Sequence, residues 1–238
     1  MSKLIQVQKL KGLLSLTFLI LDFVGASLLN FLITPTVTWA QDKTPNLANS
    51  SLAKPLSGIK IVLNAGHGGK ELGAVGATGL LAKDLNLQVT KLLRDELVRR
   101  GAIVVMTRED DRDLSLVERQ KIIDQESPAI ALTFHYRSLP DDGDAENTRG
   151  VSTYWYHPQA HSLATLLHNR LVNDLGRPSY GLYWQNLALT RPHTAPSVLL
   201  ELGFMSNPDD FEEATNPQEQ NKLVKTLAEA ITEWFRSK

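Results

Sequence analysis

The sequence predicts an α/β fold, a single three-layer domain with a largely parallel sheet covered by helices on both faces. Five apolar, mostly β-branched runs predict the strands, which are IKIVLN (59–64), AIVVMT (102–107), AIALTF (129–134), VSTYWY (151–156) and SVLLEL (197–202). Runs that are apolar throughout are typical of strands buried on both faces. Helical patterns separate them, and this alternation of β and α elements favours a parallel sheet.

Four amphipathic stretches predict the helices, at 84–100, 115–125, 160–175 and 218–235. Gly101 directly follows the first stretch and is a suitable helix stop. The chain shows no repeat of fixed period. Its 238 residues are enough for one domain whose core needs no disulfide or metal in order to fold.

The composition excludes several classes of function. The formal net charge is −1, so nucleic acid is not an expected partner, because phosphate binding requires a clustered basic excess. The chain has no cysteine, which excludes disulfides, thiolate metal ligands and cysteine nucleophiles. Any metal must therefore be held by histidines and carboxylates.

The first forty residues predict export. Three lysines in the first eleven residues precede an apolar run at 12–33, and the small residues of 38–40 fit a cleavage site. The run is long enough to be a retained anchor, which would associate the chain with a membrane. Asp22 near its middle would cost roughly 2.5–3.5 kcal/mol on insertion, and this favours a signal peptide at 1–40. Either interpretation places the domain in the periplasm or cell wall.

The next segment, 41–58, has the sequence QDKTPNLANSSLAKPLSG. It is polar, rich in Ser, Asn and Pro, and lacks apolar periodicity, so it predicts a flexible linker. The folded domain is then expected at 59–238.

Three places in the predicted sheet carry candidate chemistry, because sites in such folds gather at the carboxyl ends of the strands. His67 lies in the glycine-rich turn AGHGG, His135 follows the third strand, and Glu201 lies at the end of the strand SVLLEL. Each has an ordinary alternative, namely an incidental histidine, a core histidine, and a buried ion pair with Arg191 or Arg108. Two neutral imidazoles and a carboxylate at strand ends can hold Zn²⁺ and leave a position for water, while a nearby Glu removes the proton of that water.

Several stretches resemble, in the same order, the zinc-dependent N-acetylmuramoyl-L-alanine amidases of the AmiC type. They are IVLNAGHGGKELGAVGATGLLAKDLNL, TRED…LSLVERQ, ALTFH, RGVSTYWY and PSVLLELGFMSNPDD. The resemblance implies cleavage of peptidoglycan at the amide between the lactyl group of N-acetylmuramic acid and L-alanine. It also implies one Zn²⁺ ion, with His67 and His135 as metal ligands and Glu201 as the catalytic base.

One ligand position departs from the family pattern. The family run reads G-L-x-E-K-D-x-N-L, and its Glu, the remaining metal ligand, is Ala82 here. Asn64-Ala65 stands in place of Asp-Pro, and Tyr136-Arg137 in place of Ala-Asn. With a helix start near Lys83, Asp84 points away from position 82 and is expected to cap the helix.

Three further groups could bind metal or substrate. Glu71, in the His67 loop, is a more plausible substitute than Asp84 for the metal ligand missing at position 82. The alternative is that Glu71 is a solvated loop carboxylate. His157 and His161 have a helical metal-binding spacing, although a surface role is favoured. Trp155, Trp184 and the tyrosines around them are expected to be packed or to line a sugar or peptide groove.

The sequence therefore predicts a zinc-dependent N-acetylmuramoyl-L-alanine amidase acting on peptidoglycan. The alternative is a degenerate, non-catalytic domain that binds or regulates at peptidoglycan, and Ala82 motivates it. The sequence identifies no activating protein partner.

Overall fold

The computed structural model describes residues 54–238. Its six strands are β1 (Lys60–Ala65), β2 (Ile103–Met106), β3 (Ile130–Arg137), β4 (Val151–Trp155), β5 (Ser179–Trp184) and β6 (Ser197–Phe204). Its five helices are α1 (Ala82–Arg99), α2 (Leu116–Glu126), α3 (Pro158–Asn173), α4 (Pro208–Thr215) and α5 (Pro217–Arg236). The five predicted strands and four predicted helices are confirmed, and β5 and α4 are additional.

All six strands form one sheet in the order β2-β1-β3-β6-β4-β5. Every neighbouring pair is parallel except β4 and β6, which are antiparallel. The predicted α/β class with a largely parallel sheet is therefore confirmed. The central strands β1, β3 and β6 are the ones that carry the candidate site.

Helices cover both faces of the sheet, as predicted. The larger apolar cluster joins α1, α3 and α5 to one face, and Ile61 and Leu63 of β1 point into it. Val62, between them in β1, points the other way and packs with Ile123 of α2 and Ala131 of β3. Alternate side chains of a strand face opposite sides of the sheet, so one short strand contributes to both layers of the core.

Local sequence signals explain where several helices begin and end. Ser115 caps α2 and forms a reciprocal capping box with Glu118, which satisfies two backbone donors at the helix start. Asn216 caps α5 and precedes Pro217 at its first position. Gly101 has φ of +100° just after α1, so the predicted helix stop is confirmed.

The chain is already packed against the domain before β1. Leu56 is completely buried, and its backbone N–H donates a hydrogen bond to the carbonyl of Arg100 at 3.0 Å. The expected signal peptide or anchor, and the expected linker up to residue 53, lie outside the described residues. Within residues 54–238, no helix is long and apolar enough to cross a membrane.

Candidate active site

The loop that follows β1 places His67 at the carboxyl edge of the sheet. His67 has φ of +59°, a left-handed conformation that few residues other than glycine adopt and that marks functional sites when it is held by surrounding structure. The guanidinium of Arg119 donates to the His67 carbonyl at 2.6 Å and to the Ala65 carbonyl at 2.8 Å. Arg108 donates to the Gly66 carbonyl at 2.9 Å. Two buried arginines thus hold the backbone around His67.

His135 lies on β3 and packs directly over this loop. A Cβ added to Gly66 would lie 2.4 Å from two atoms of the His135 ring, so only glycine permits the observed approach. The rings of His67 and His135 are 4.8 Å apart between centroids and meet at 81°. The structure therefore brings the two predicted metal ligands side by side.

Glu201 lies next to His135 on the neighbouring strand. The two residues are Cα partners in the parallel pairing of β3 with β6. Both were predicted at strand ends, and this detail is wrong, because β3 continues to Arg137 and β6 to Phe204. A β-bulge follows the pair and adds one residue to β6, a feature that often lies next to active sites.

The predicted alternative for Glu201, an ion pair with Arg191 or Arg108, is wrong. Arg108 donates to backbone carbonyls, and Arg191 donates to the side chain of Asn186 at 2.9 Å. Within residues 54–238, the buried Oε2 atom of Glu201 has no hydrogen-bond partner. A buried carboxylate oxygen without a partner is costly, so this atom is available to bind a ligand or accept a proton.

Burial shifts the pKa values of all three side chains. It lowers the pKa of His67 and lowers that of His135 to about 3, with neighbouring positive charges adding to the effect. Burial raises the pKa of Glu201 to about 7, while the charge of Arg137 acts in the opposite direction. Neutral imidazoles are the form that binds metal, and a carboxylate with pKa near 7 can exchange protons at neutral pH.

These side chains line one cavity of about 510 Å³. His67, His135 and Glu201 share it with Arg137, Tyr154 and Gln185. Arg137 and Gln185 were not predicted as site residues, whereas Tyr154 is one of the tyrosines near Trp155 that were expected to be packed or to line a groove. Arg137 follows His135 by two positions and so lies on the same face of β3, a signal that was obscured because the apolar run ends at Phe134.

The donor set of this cavity fits a zinc ion only in part. His67 and His135 supply two ligands, whereas structural and catalytic zinc sites normally have at least three from the protein. Within the described residues, no group of three or more His, Cys, Asp or Glu side chains is arranged to hold a metal. The third position of the family pattern is Ala82, which is fully buried.

Ala82 nevertheless lies beside the histidines. A Cβ added to Gly73 would lie 2.8 Å from His67 Nε2 and 2.9 Å from the Ala82 methyl group, so both groups border the same backbone position. The Ala82 N–H donates to the Ala74 carbonyl at 2.8 Å, which fixes the first residue of α1 against this loop. A longer side chain at position 82 would begin next to the His67 ring.

Asp84 and Glu71 are the two carboxylates near position 82 in the sequence, and neither lies where it would replace the missing metal ligand. Asp84 is exposed on the first turn of α1, where its charge complements the helix dipole. The predicted capping role of Asp84 is wrong, because Leu81 is the N-cap residue and no side chain caps this helix. Glu71 approaches Nδ1 of His67 at 4.0 Å but is 68% exposed, too far for a shared metal ligand as it stands.

The histidine pair on α3 does not form a site. His157 is the N-cap residue, and its Nε2 hydrogen-bonds the Arg191 carbonyl at 2.7 Å. His161 is exposed and its ring lies 4.5 Å from that of Trp155. Trp184 is 66% exposed and stacks on Tyr156. The favoured surface role of the two histidines agrees with these contacts.

Comparison with known proteins identifies the family. Residues 61–233 match the N-acetylmuramoyl-L-alanine amidase family. The germination-specific N-acetylmuramoyl-L-alanine amidase of Bacillus subtilis is 31% identical over 206 residues, which is 77% of this chain and 83% of that protein. The probable cell wall amidase LytH of Staphylococcus epidermidis is 34% identical over 80% of this chain and 63% of its own length.

A solved structure shows the same fold. The N-acetylmuramoyl-L-alanine amidase AmiC2 of Nostoc punctiforme aligns with a TM-score of 0.70 and 27% identity, over 76% of this chain and 99% of that structure. The family match covers all of the sheet except Lys60, together with the loop and strands that carry His67, His135 and Glu201. This chain therefore belongs to the N-acetylmuramoyl-L-alanine amidase family.

Proposed function

We propose that this chain is a peptidoglycan hydrolase that cleaves the amide between the lactyl group of N-acetylmuramic acid and L-alanine of the stem peptide. Family membership supports this reaction type. The observation that carries the proposal is the convergence of His67, His135 and Glu201 on one cavity. The names of the Bacillus and Staphylococcus relatives, an amidase and a probable cell wall amidase, support action at the cell wall.

His67 and His135 are the residues that would hold the metal. When bound, Zn²⁺ supplies Lewis acidity toward the scissile carbonyl and lowers the pKa of water. Their adjacent, perpendicular rings and lowered pKa values keep unprotonated nitrogens available at neutral pH. With Ala82 at the third position, the rest of the coordination shell would come from water, substrate or a moving side chain such as Glu71.

Glu201 is the proposed general base. Its buried Oε2 has no hydrogen-bond partner among the described residues and is therefore free to accept a proton. In the reaction, Glu201 takes a proton from the water whose oxygen adds to the lactyl carbonyl carbon. As the carbon–nitrogen bond breaks, Glu201 returns this proton to the departing nitrogen of L-alanine. Such proton transfer typically contributes 10²–10⁴-fold to the rate.

A second candidate is a non-catalytic domain that binds peptidoglycan or regulates other enzymes there. The observation that favours it is the buried methyl of Ala82 beside His67. The family pattern has a metal-binding Glu at this position, so the change removes one of the metal ligands. In this case the cavity would retain the stem peptide without hydrolysing it. Both candidates require that the chain be exported to the periplasm or cell wall.

Digestion of isolated sacculi distinguishes the two candidates. The purified chain is incubated with sacculi and zinc, and new L-alanine amino termini are counted by mass spectrometry. Release that disappears in Glu201→Gln supports the hydrolase. Binding to sacculi with release only in Ala82→Glu supports the non-catalytic domain. If the chain neither binds nor cleaves sacculi, peptidoglycan is not its ligand.

A further inference from the structure

Arg137 places a positive charge in the candidate active site. It lies on β3 two residues after His135 and lines the same cavity as His67, His135 and Glu201. The β-bulge between the His135–Glu201 and Arg137–Phe204 pairs re-aims side chains locally. Gly203, inside the bulge, has φ of +153° and provides the backbone conformation that the extra residue needs.

Aromatic rings from three other strands hold the guanidinium in place. Its central carbon lies 4.9 Å from the centre of the Phe204 ring and 5.3 Å from that of Tyr180. One guanidinium nitrogen donates to the hydroxyl of Tyr154 at 3.3 Å, and the Tyr154 ring stacks on Tyr183. Cation–π contacts and a rigid sheet reduce the entropy that this side chain would lose on binding a ligand.

The charge of Arg137 has no carboxylate partner in the described part of the chain. No Asp or Glu of residues 54–238 lies within 4.0 Å of its guanidinium, and the Tyr154 hydroxyl is its one side-chain hydrogen-bond acceptor there. Arg149 and Arg177, by contrast, are each paired with Glu213. A guanidinium carries five N–H donors in a planar fork, so Arg137 keeps donors for a bidentate acceptor.

The position of Arg137 sets how far such an acceptor would be from the reacting amide. Two residues along a strand span about 7 Å, which is also the length of two residues of an extended peptide. A peptide whose scissile amide lies at His135 and Glu201, and whose chain runs along β3 toward Arg137, would therefore bring the residue after L-alanine near Arg137. The planar fork of N–H donors on a guanidinium matches a carboxylate better than a neutral amide.

We propose that Arg137 binds a carboxylate of the stem peptide, at the residue that follows L-alanine, and so selects acidic over amidated stems. This inference rests on peptidoglycan being the ligand, as proposed above. It applies equally to a hydrolase and to a binding domain, since it concerns substrate recognition rather than the chemical step. Arg137 orients the peptide so that its amide lies over Glu201.

The test compares two synthetic ligands that differ only in charge. One is N-acetylmuramoyl-L-alanyl-D-glutamate with both carboxylates free, and the other has both converted to primary amides. Binding to the full chain is measured by calorimetry in EDTA, so that neither hydrolysis nor metal affects the result. We expect the acidic form to bind roughly tenfold more tightly, as one charged hydrogen-bonded pair provides.

Variants assign this preference to the side chain. Arg137→Gln should abolish the difference between the two ligands, and Arg137→Lys, which keeps the charge but loses the fork, should retain part of it. Arg191→Gln is the matched control, because Arg191 is exposed and outside the cavity. Thermal unfolding checks that each variant is folded. If Arg137→Gln does not fold, Arg137→Lys still tests the role of the guanidinium.

The outcomes separate this inference from the proposed function. Equal binding of both ligands by the unmodified chain, or a preference that persists in Arg137→Gln, would overturn the role of Arg137 while leaving peptidoglycan as the ligand. Failure of the unmodified chain to bind either ligand, together with failure to bind sacculi, would overturn the proposed function itself.

Discussion

The methyl group of Ala82 and the Nε2 atom of the His67 imidazole border the same glycine, at 2.9 Å and 2.8 Å from a Cβ added to Gly73. Ala82 is the first residue of α1 and is fully buried. His67, His135 and Glu201 line one cavity. The Ala82 side chain has no donor atom, so it cannot supply the third ligand of the proposed metal site.

Replacement of Ala82 by glutamate should restore a third metal ligand. We expect Ala82→Glu to bind zinc at least about tenfold more tightly than the unmodified chain, because a carboxylate completes the set of three. Without zinc the variant should be less stable by about 1–3 kcal/mol, since it buries an unpaired polar group. Zinc titration by calorimetry checks the affinity, and Ala82→Gln is the control of equal size. Equal zinc affinity in the two variants would contradict the assignment of position 82.

Replacement of Glu201 by glutamine tests the proposed base. We expect hydrolysis of sacculi by Glu201→Gln to fall by about 10²-fold or more, with zinc binding by the histidines retained. Glu212→Gln serves as the control, because Glu212 is exposed on α4. Initial rates of L-alanine amine release measure the effect. If Glu201→Gln kept the full rate, another group would have to accept the proton.

Replacement of Asn64 by aspartate should stabilise the loop that carries His67. The Asn64 Oδ1 atom accepts from Arg119 at 2.7 Å and from the Thr107 hydroxyl at 2.6 Å. Burial lowers the pKa of Arg119 to about 10, and no carboxylate of the described residues pairs with it. A charged acceptor here should add about 1–3 kcal/mol to the free energy of unfolding, measured in urea, whereas Asn64→Ala should lower it.

The stability of the metal-free chain should depend on pH through His168. Its ring contacts the Thr153 hydroxyl at 3.2 Å and the Ser179 hydroxyl at 2.8 Å, and burial lowers its pKa below 6.5. Above pH 6.5 the histidine is neutral in both the folded and unfolded states, so it has no effect on the pH dependence. As the pH falls below 6.5 the unfolded state binds the proton first, and the folded state loses stability.

His168→Gln should therefore show a shallower fall in unfolding free energy between pH 7 and pH 5 than the unmodified chain. Among the other groups with shifted pKa values, His67 and His135 have lowered values and act in the same direction as His168. The raised pKa of Glu201 acts in the opposite direction, because its folded form binds the proton first as the pH falls. His193→Gln, a change at an exposed histidine, is the control. Identical slopes for His168→Gln and the unmodified chain would show that His168 does not titrate as its burial implies.

The strands that position the site were visible in the sequence for a physical reason. β1, β3 and β6 are covered on both faces, and strands of this kind read as continuous apolar runs. β5 was missed because SYGLYW mixes exposed and half-buried residues on a sheet edge. The eight-residue α4 was missed because so short a helix shows little periodicity, although Asn207 and Pro208 mark its start.

The contacts within the site were less accessible to sequence reasoning. The pattern of residues placed His135 and Glu201 at one edge of the sheet, but their direct pairing depends on the register of β3 against β6. The two paired residues are more than sixty positions apart in the chain, so no local sequence pattern specifies this register. The position of Arg137 in the cavity was not evident for the same reason, since the side chains that contact its guanidinium come from β4, β5 and β6.

The most direct test of the proposed reaction is hydrolysis of N-acetylmuramoyl-L-alanyl-D-glutamate in ¹⁸O-labelled water with zinc, followed by mass spectrometry of the products. If the chain hydrolyses the lactyl amide, one ¹⁸O atom will appear in the carboxylate of N-acetylmuramic acid, and the dipeptide will carry a free L-alanine amine. This product should be lost in Glu201→Gln. Intact substrate after incubation with the unmodified chain, or a label in the peptide instead, would contradict the proposed hydrolysis.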